Sequence, residues 1–175
     1  HKKGSRALLT LNTLVGNHEI LDLLDYIYEV AACGVDGVIV QDLGVVEILK
    51  ETLPDMPLHA STQMAVHNWQ GVKYLEDLGF KRAVLARECS LAEIRKIRES
   101  CEIELETFVH GALCVGFSGR CLFSSFIGGR SGNRGLCAQP CRLPYTLLKN
   151  GEEVANNGKY LLSPKDLNMI EKLPD

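Results

Sequence analysis

The apolar positions of the first two thirds of the chain follow one repeating pattern. A short, β-branched apolar run is followed by a turn, an amphipathic stretch and a glycine. The first run is Ala7-Leu8-Leu9-Thr10-Leu11. After it, Ile20, Leu23, Leu24, Ile27 and Ala31 recur at the i, i+3, i+4, i+7 spacing of a helix face. Asn17 is the expected N-cap of that helix and Gly34 its C′ glycine. The second run covers residues 37–41 and leads into a helix over roughly 44–53, limited by Pro54. The third, residues 58–61, precedes a helix from about Asn68 to Gly79. The fourth, residues 83–86, precedes Ser90-Leu91-Ala92-Glu93, which reads as a capping box. The fifth run is residues 103–109.

Strands separated by helices call for parallel pairing through right-handed crossovers. Strand starts 20 to 30 residues apart suit a β/α barrel or a doubly wound sheet. No Gly-x-Gly-x-x-Gly follows the first strand, so a dinucleotide fold has no direct support. The polar residues closing the runs favour the barrel, whose chemistry sits at the C-terminal ends of its strands. They are Asn12, then Gln41 and Asp42, then His59, Ser61 and Gln63, then Arg87 and Glu88, then Glu106 and His110. A single such residue is ordinarily a cap or turn; a series after five strands supplies candidates for proton transfer and substrate contact.

At 175 residues the chain is too short for a complete eight-stranded barrel. The expected fold is therefore an α/β, incomplete TIM-type barrel of about six strands lacking its N-terminal units. The expected layout is barrel units over 1–110, a cysteine loop over 111–142, and a β excursion with the last strand and helix over 143–175. Gly4 reads as the C′ glycine of an earlier helix, and the first strand as an open edge able to support a homo-oligomer or swapped dimer. In the last part a hairpin is expected between residues 145–148 and 160–162, turning at Asn150-Gly151. Ser163 and Pro164 read as N-cap and N1 of a final helix. With 46% hydrophobic and 23% charged residues and no apolar run of membrane-spanning length, the composition suits a cytoplasmic globular protein without a membrane span.

Charge and cysteines change that picture after His110. From Thr107 to Gly151 there are five cations (Arg120, Arg130, Arg134, Arg142, Lys149) and no carboxylate; with a net charge of -3, the remainder carries -8. A basic island in an acidic chain points to an anionic partner or substrate at one place rather than to a general nucleic-acid coat; a solubilising loop is the alternative. Asn12, Gln41, Arg87, Arg120, Arg130, Asn133, Arg134 and Arg142 are the candidate substrate-binding residues. Four of the seven cysteines, Cys114, Cys121, Cys137 and Cys141, crowd the same glycine-rich stretch with six, fifteen and three residues between them. Soft thiolates in one loop suit zinc or an iron–sulfur cluster, and the spacing does not separate the two; unrelated free thiols are a third reading. Cys33 and Cys101, at helix ends, read as small packing residues, and Cys89 as not favoured for a role.

At these residues a family resemblance emerges. Glu106-Thr-Phe-Val-His-Gly-Ala-Leu-Cys114 followed by Gly119-Arg-Cys-Leu-Phe-Ser124 resembles the signature of peptidase family U32, the collagenase-like proteases, departing at Phe123 where an aliphatic residue is usual. His59-Ala-Ser-Thr-Gln-Met64, Asn133-Arg-Gly-Leu-Cys-Ala-Gln-Pro-Cys-Arg142 and Tyr160-Leu-Leu-Ser-Pro-Lys-Asp166 extend the similarity over essentially the whole chain. The resemblance implies a β/α barrel whose members carry about two further units before Leu9. It implies either peptidase activity or hydroxylation of a tRNA base, an rRNA base or a ubiquinone precursor. It also implies a four-iron cluster on Cys114, Cys121, Cys137 and Cys141, and dependence on prephenate in RNA-hydroxylating members.

Three functions follow. An RNA hydroxylase would use the cluster, with the arginines meeting phosphate or a carboxylate cofactor. A peptidase would draw nucleophile and base from His59, Ser61, Glu88, Glu106 and His110, with Gln63 a further candidate catalytic residue, although no Gly-x-Ser-x-Gly or His-Glu-x-x-His is present. A partner subunit would hold the cluster without catalysis. The site chemistry favours the first.

Overall fold

The computed structural model describes residues 2–154 and 159–173. The chain divides into two compact units, His1–Thr107 and Phe108–Asp175.

The first unit is a parallel sheet with helical crossovers. Its strands are β1 (Leu8–Leu11), β2 (Gly37–Val40), β3 (Leu58–Ala60), β4 (Arg82–Val84) and β5 (Glu104–Glu106), paired in sequence order and all parallel. That order contains no reversal, whereas a doubly wound sheet reverses at its switch point. The helices between are α1 (Ile20–Ala32), α2 (Leu43–Thr52), α3 (Trp69–Asp77) and α4 (Leu91–Ser100). β1 lies at one end of the sheet order.

Local chemistry sets the helix ends. Ser90 Oγ accepts from the Glu93 amide while Glu93 Oε2 accepts from the Ser90 amide, the reciprocal box expected from the sequence. Asn68 Oδ1 accepts from the Gly71 amide at the start of α3. Asp42, immediately after β2, caps α2 through the amides of Gly44 and Val45. Asn17 differs from expectation. It opens a 3-10 turn, Asn17–Glu19, whose N-cap is Gly16, because Glu19 Oε2 already accepts the Gly16 amide.

Strand register separates two faces. Leu11, Val40, Ala60, Ala83 and Leu105 lie side by side, with Val38 beside Leu58. These residues join Leu23, Ile27, Leu49, Val72, Leu75 and Ile97 from the helices in one hydrophobic core. Cys101 belongs to that core, as expected, whereas Cys33 is exposed: α1 ends there and turns its thiol outward. The other row is Thr10, Ile39, His59, Arg82 and Glu104. Neighbouring residues of parallel strands share a face, so the side away from the core is polar.

The second unit has little regular structure. Its described residues form the antiparallel pair β6 (His110–Gly111) with β9 (Leu167–Asn168), the hairpin β7 (Leu148–Lys149) and β8 (Glu152–Glu153), and a short α-helix, α5 (Phe123–Gly128). The hairpin turns at Asn150 and Gly151, both at positive φ (55° and 85°), the backbone a two-residue I′ turn needs. Its second strand is Glu152–Glu153; residues 160–162 form no strand, so the expected longer excursion is corrected to a tight hairpin. The final helix expected from Ser163 also does not form. Leu167–Asn168 pairs with β6 instead, followed by a 3-10 turn, Ile170–Lys172, because Ser163 and Pro164 are engaged by Arg142. No described helix is long and apolar enough to cross a membrane.

Candidate functional site

At the C-terminal ends of the strands, the polar residues read from the sequence tie neighbouring loops together. Gln41 Nε2 donates to the Asn12 carbonyl. Asp42 Oδ2 accepts from the Val15 amide at 3.0 Å, so this carboxylate caps α2 and anchors the loop after β1 at once. Thr62 donates to the Leu85 carbonyl at 3.1 Å, and the Ala86 amide to the Val66 carbonyl at 2.8 Å. Ser61 is buried and its hydroxyl exchanges hydrogen bonds with Gln63, accepting its amide at 3.3 Å and donating to Oε1 at 3.4 Å. Arg87 is half-buried and Glu88 exposed in the loop after β4.

His59 sits differently from expectation. It is the central residue of β3 rather than its end, because the ladder registers it with Ile39 and Arg82. It is 4% exposed, and its Nδ1 has no hydrogen-bond partner. Burial, and then the nearby Arg82 charge, push its pKa below the usual histidine value. Its Nε2 borders Gly37, where an added Cβ would lie 3.3 Å away, and 3.0 Å from the Pro57 carbonyl.

Beside His59, Arg82 forms a two-carboxylate fork. Its guanidinium donates to Glu104 Oε2 at 2.6 and 2.9 Å and to Glu106 Oε2 at 3.0 Å. This hydrogen bonding holds the Glu104 carboxyl below its ordinary range. Glu106 was among the expected catalytic residues; Arg82 and Glu104 were not. Their signal was present in the alternation Glu104-Leu105-Glu106, which puts two carboxylates on one strand face and demands a cation opposite. The half-buried Cys89 has its thiol pushed up to about 11 by burial and then by the nearby Glu93 and Glu88 carboxylates.

His110 belongs to the second unit, exposed in β6. In that unit the four loop cysteines are free thiols; Cys137 is exposed and the other three half-buried. Cys121 Sγ accepts the Phe123 amide at 3.3 Å, and Cys137 Sγ accepts the Gln139 amide at 3.3 Å. Two cysteines thus sit in matching turns whose amide two residues on points at sulfur. Hydrogen bonds to sulfur are among the contacts that tune thiolate-bound metal centres. A Cβ added at Gly132 would touch the Cys137 sulfur at 3.9 Å and the Cys121 carbonyl at 3.8 Å, so both turns approach that glycine. One added at Gly116 would lie 2.6 Å from Cys121 Cβ. Ser124, buried in α5, accepts the Ala138 amide at 2.9 Å and fixes the chain between Cys137 and Cys141.

The arginines divide by role. Arg130 Nε donates to the Leu136 carbonyl at 2.9 Å. Arg120, Arg130 and Arg134 are exposed, and Asn133 half-buried. Arg142 is half-buried and occupied by four acceptors: Leu113 O, Ser163 Oγ, Pro164 O and Asp166 Oδ1. The donor set fits a thiophilic metal group in type, with free sulfur ligands and amides aimed at two of them. Among the described residues, however, no three His, Cys, Asp or Glu side chains gather closely enough to hold a metal ion.

The profile of peptidase family U32 matches residues 1–175. The chain belongs to this family. Among similar U32 proteins is the 23S rRNA 5-hydroxycytidine synthase of Escherichia coli, 43% identical over 166 residues, covering 95% of this chain and 25% of that protein. The tRNA hydroxylation protein P1 of Bacillus subtilis is 38% identical over 182 residues, covering 99% of this chain and 42% of that protein. A collagenase of Porphyromonas gingivalis is 30% identical over 181 residues, covering 96% and 43%. The solved structure of the U32 peptidase Mk0906 superposes with a TM-score of 0.52 at 25% identity, covering 63% of this chain and 48% of that one. The U32 chain thus spans less than half the length of the relatives it matches.

Proposed function

We propose that this chain is part of an RNA-hydroxylating U32 protein, acting on a tRNA or rRNA base, whose second unit is organised by an iron–sulfur cluster on Cys114, Cys121, Cys137 and Cys141. The observation that carries the cluster is the pair of matching turns at Cys121 and Cys137, each with an amide directed at sulfur. A four-iron cluster at these cysteines would supply one-electron redox chemistry, with zinc as the redox-inert alternative. Likeness to two RNA hydroxylation proteins over nearly the whole chain supports the RNA substrate. The exposed Arg120, Arg130 and Arg134 supply positive charge for phosphate or for a carboxylate cofactor such as prephenate. The uninterrupted β1 to β5 order supports reading the first unit as an arc of a β/α barrel. A cytoplasmic setting would keep the free thiols reduced.

A peptidase reading is favoured by the collagenase likeness. Against it, the Ser61 hydroxyl is paired with Gln63 while His59 Nδ1 has no partner, so these two do not form a nucleophile and base pair. The deciding experiment has two arms. The full-length protein, purified without air, is assayed for iron and sulfide, and RNA from a strain lacking it is searched by mass spectrometry for a missing hydroxylated base. Iron with sulfide and a base restored by the wild-type gene, but not by a Cys137→Ala gene, support the proposal. A metal-free protein that cleaves gelatin, with the RNA unchanged, overturns it.

A further inference from the structure

Arg142 follows Cys141 directly in sequence, and one of the carbonyls it binds, Leu113 O at 3.1 Å, directly precedes Cys114. A single guanidinium therefore joins the backbone at the first cysteine of the loop to the backbone at the last. The same group reaches into a third segment. It donates to Ser163 Oγ at 2.8 Å, Pro164 O at 3.0 Å and Asp166 Oδ1 at 2.9 Å. Asp166 is 62% exposed and the arginine 26%, so the ion pair alone is weak. The geometry gains its strength from being shared: the planar fork meets two backbone carbonyls, a hydroxyl and a carboxylate at once, which a lysine cannot reproduce. The Ser163-Pro164-Lys165-Asp166 stretch, a helix start by its sequence, is used here as the receptor for that fork.

We infer that Arg142 is a positioning residue for the cysteine site: it fixes the Cys114 and Cys141 backbones relative to each other before any metal arrives, with Ser163, Pro164 and Asp166 holding the guanidinium in place. This rests on the four-cysteine reading above for its purpose, but not for its geometry. It also removes Arg142 from the residues that meet substrate, since its donors are directed at protein.

The test uses the metal-free, reduced full-length protein and a bifunctional thiol reagent, dibromobimane, with cross-linked pairs identified by mass spectrometry. The wild type is expected to give a Cys114–Cys141 cross-link. Arg142→Met is expected to lower its yield about tenfold, the factor carried by losing one hydrogen bond to a charged group. Arg142→Lys is expected to stay low, and Asp166→Asn to fall between. Helical circular dichroism should remain at the wild-type value in all three. If Arg142→Met does not fold, Asp166→Asn, which touches only the exposed end of the fork, decides the matter by the same yield. An unchanged cross-link in folded Arg142→Met, or in Asp166→Asn when the former is unfolded, overturns the inference. Iron content after anaerobic reconstitution is the separate readout. A wild type that takes up no iron while its cross-link depends on Arg142 refutes the cluster and leaves the positioning role standing.

Discussion

The two units solve the problem of holding a chain together in opposite ways. In the first, five parallel strands and four helices surround a core in which Val40, Val72 and Ala83 are wholly buried. In the second, none of the described hydrophobic side chains is fully buried; Ser118, Ser124 and Pro140 are, while Phe126 and Ile127 are largely exposed. Its order comes from side chains capturing backbone: Arg142 on Leu113 and Pro164, Ser124 on Ala138, Arg130 on Leu136, and the Tyr145 hydroxyl on the Pro140 carbonyl. A unit without an apolar core ordinarily needs a staple, and four free cysteines are the material for one. On the proposed cluster reading, the contrast ties the cysteines to folding as much as to chemistry.

That contrast can be broken most forcefully at the sulfur ligands. Cys137→Ala in the full-length protein is expected to release iron and expose residues 108–154 to protease. A ligand held at 100 times its Kd protects by about 2.7 kcal/mol, so cleavage there should rise about 100-fold. Cleavage within residues 8–106 should not change; a rise in both regions would refute independent stabilisation. Comparable in size is Leu49→Ala, which opens a cavity under α2 in the first unit. It should cost about 2–5 kcal/mol in urea unfolding while leaving iron content unchanged. Ser90→Ala removes one half of a capping box and should cost about 1 kcal/mol by the same measurement.

The smallest effect is a pH dependence at His59. Its folded pKa lies below the model-peptide value of 6.5, so between those two values the unfolded chain binds more protons than the folded one. Stability attributable to His59 is therefore complete above 6.5 and falls as pH drops through that window. The urea midpoint of the wild type should decline on going from neutral pH toward 5.5, and His59→Phe should flatten that decline. An unchanged slope would show that the ring is not titrating in a buried place.

The sequence made the first unit legible because its elements are periodic and their ends chemically marked. Ser90 with Glu93, and Gly34, end helices where the pattern placed them, and α3 starts next to Asn68 as the pattern expected. The five apolar runs all became strands, with ends shifted by a few residues. The polar side of the sheet was harder to read. His59 follows an apolar residue and precedes a small one, which resembles a strand end; only the register with Arg82 shows it is mid-strand. The second unit was least legible, since hydrogen bonds such as Arg142 to Asp166 join residues 24 apart with no periodic trace. Of the local signals there, Asn150-Gly151 does mark a turn, with its partner strand at Glu152–Glu153 instead of 160–162, whereas Ser163-Pro164 starts no helix.

Gly116 carries a consequence for the spacing of the cysteines themselves. With six residues between Cys114 and Cys121, the chain must double back so tightly that any side chain at position 116 would collide with Cys121 at its own Cβ. The interval and the glycine are one character rather than two. Insertions between these cysteines would relax the demand for glycine, and a bulkier residue at 116 would need a longer interval to accompany it. Among U32 sequences the two should therefore change together, so the length of that gap alone foretells which residues its first bend tolerates.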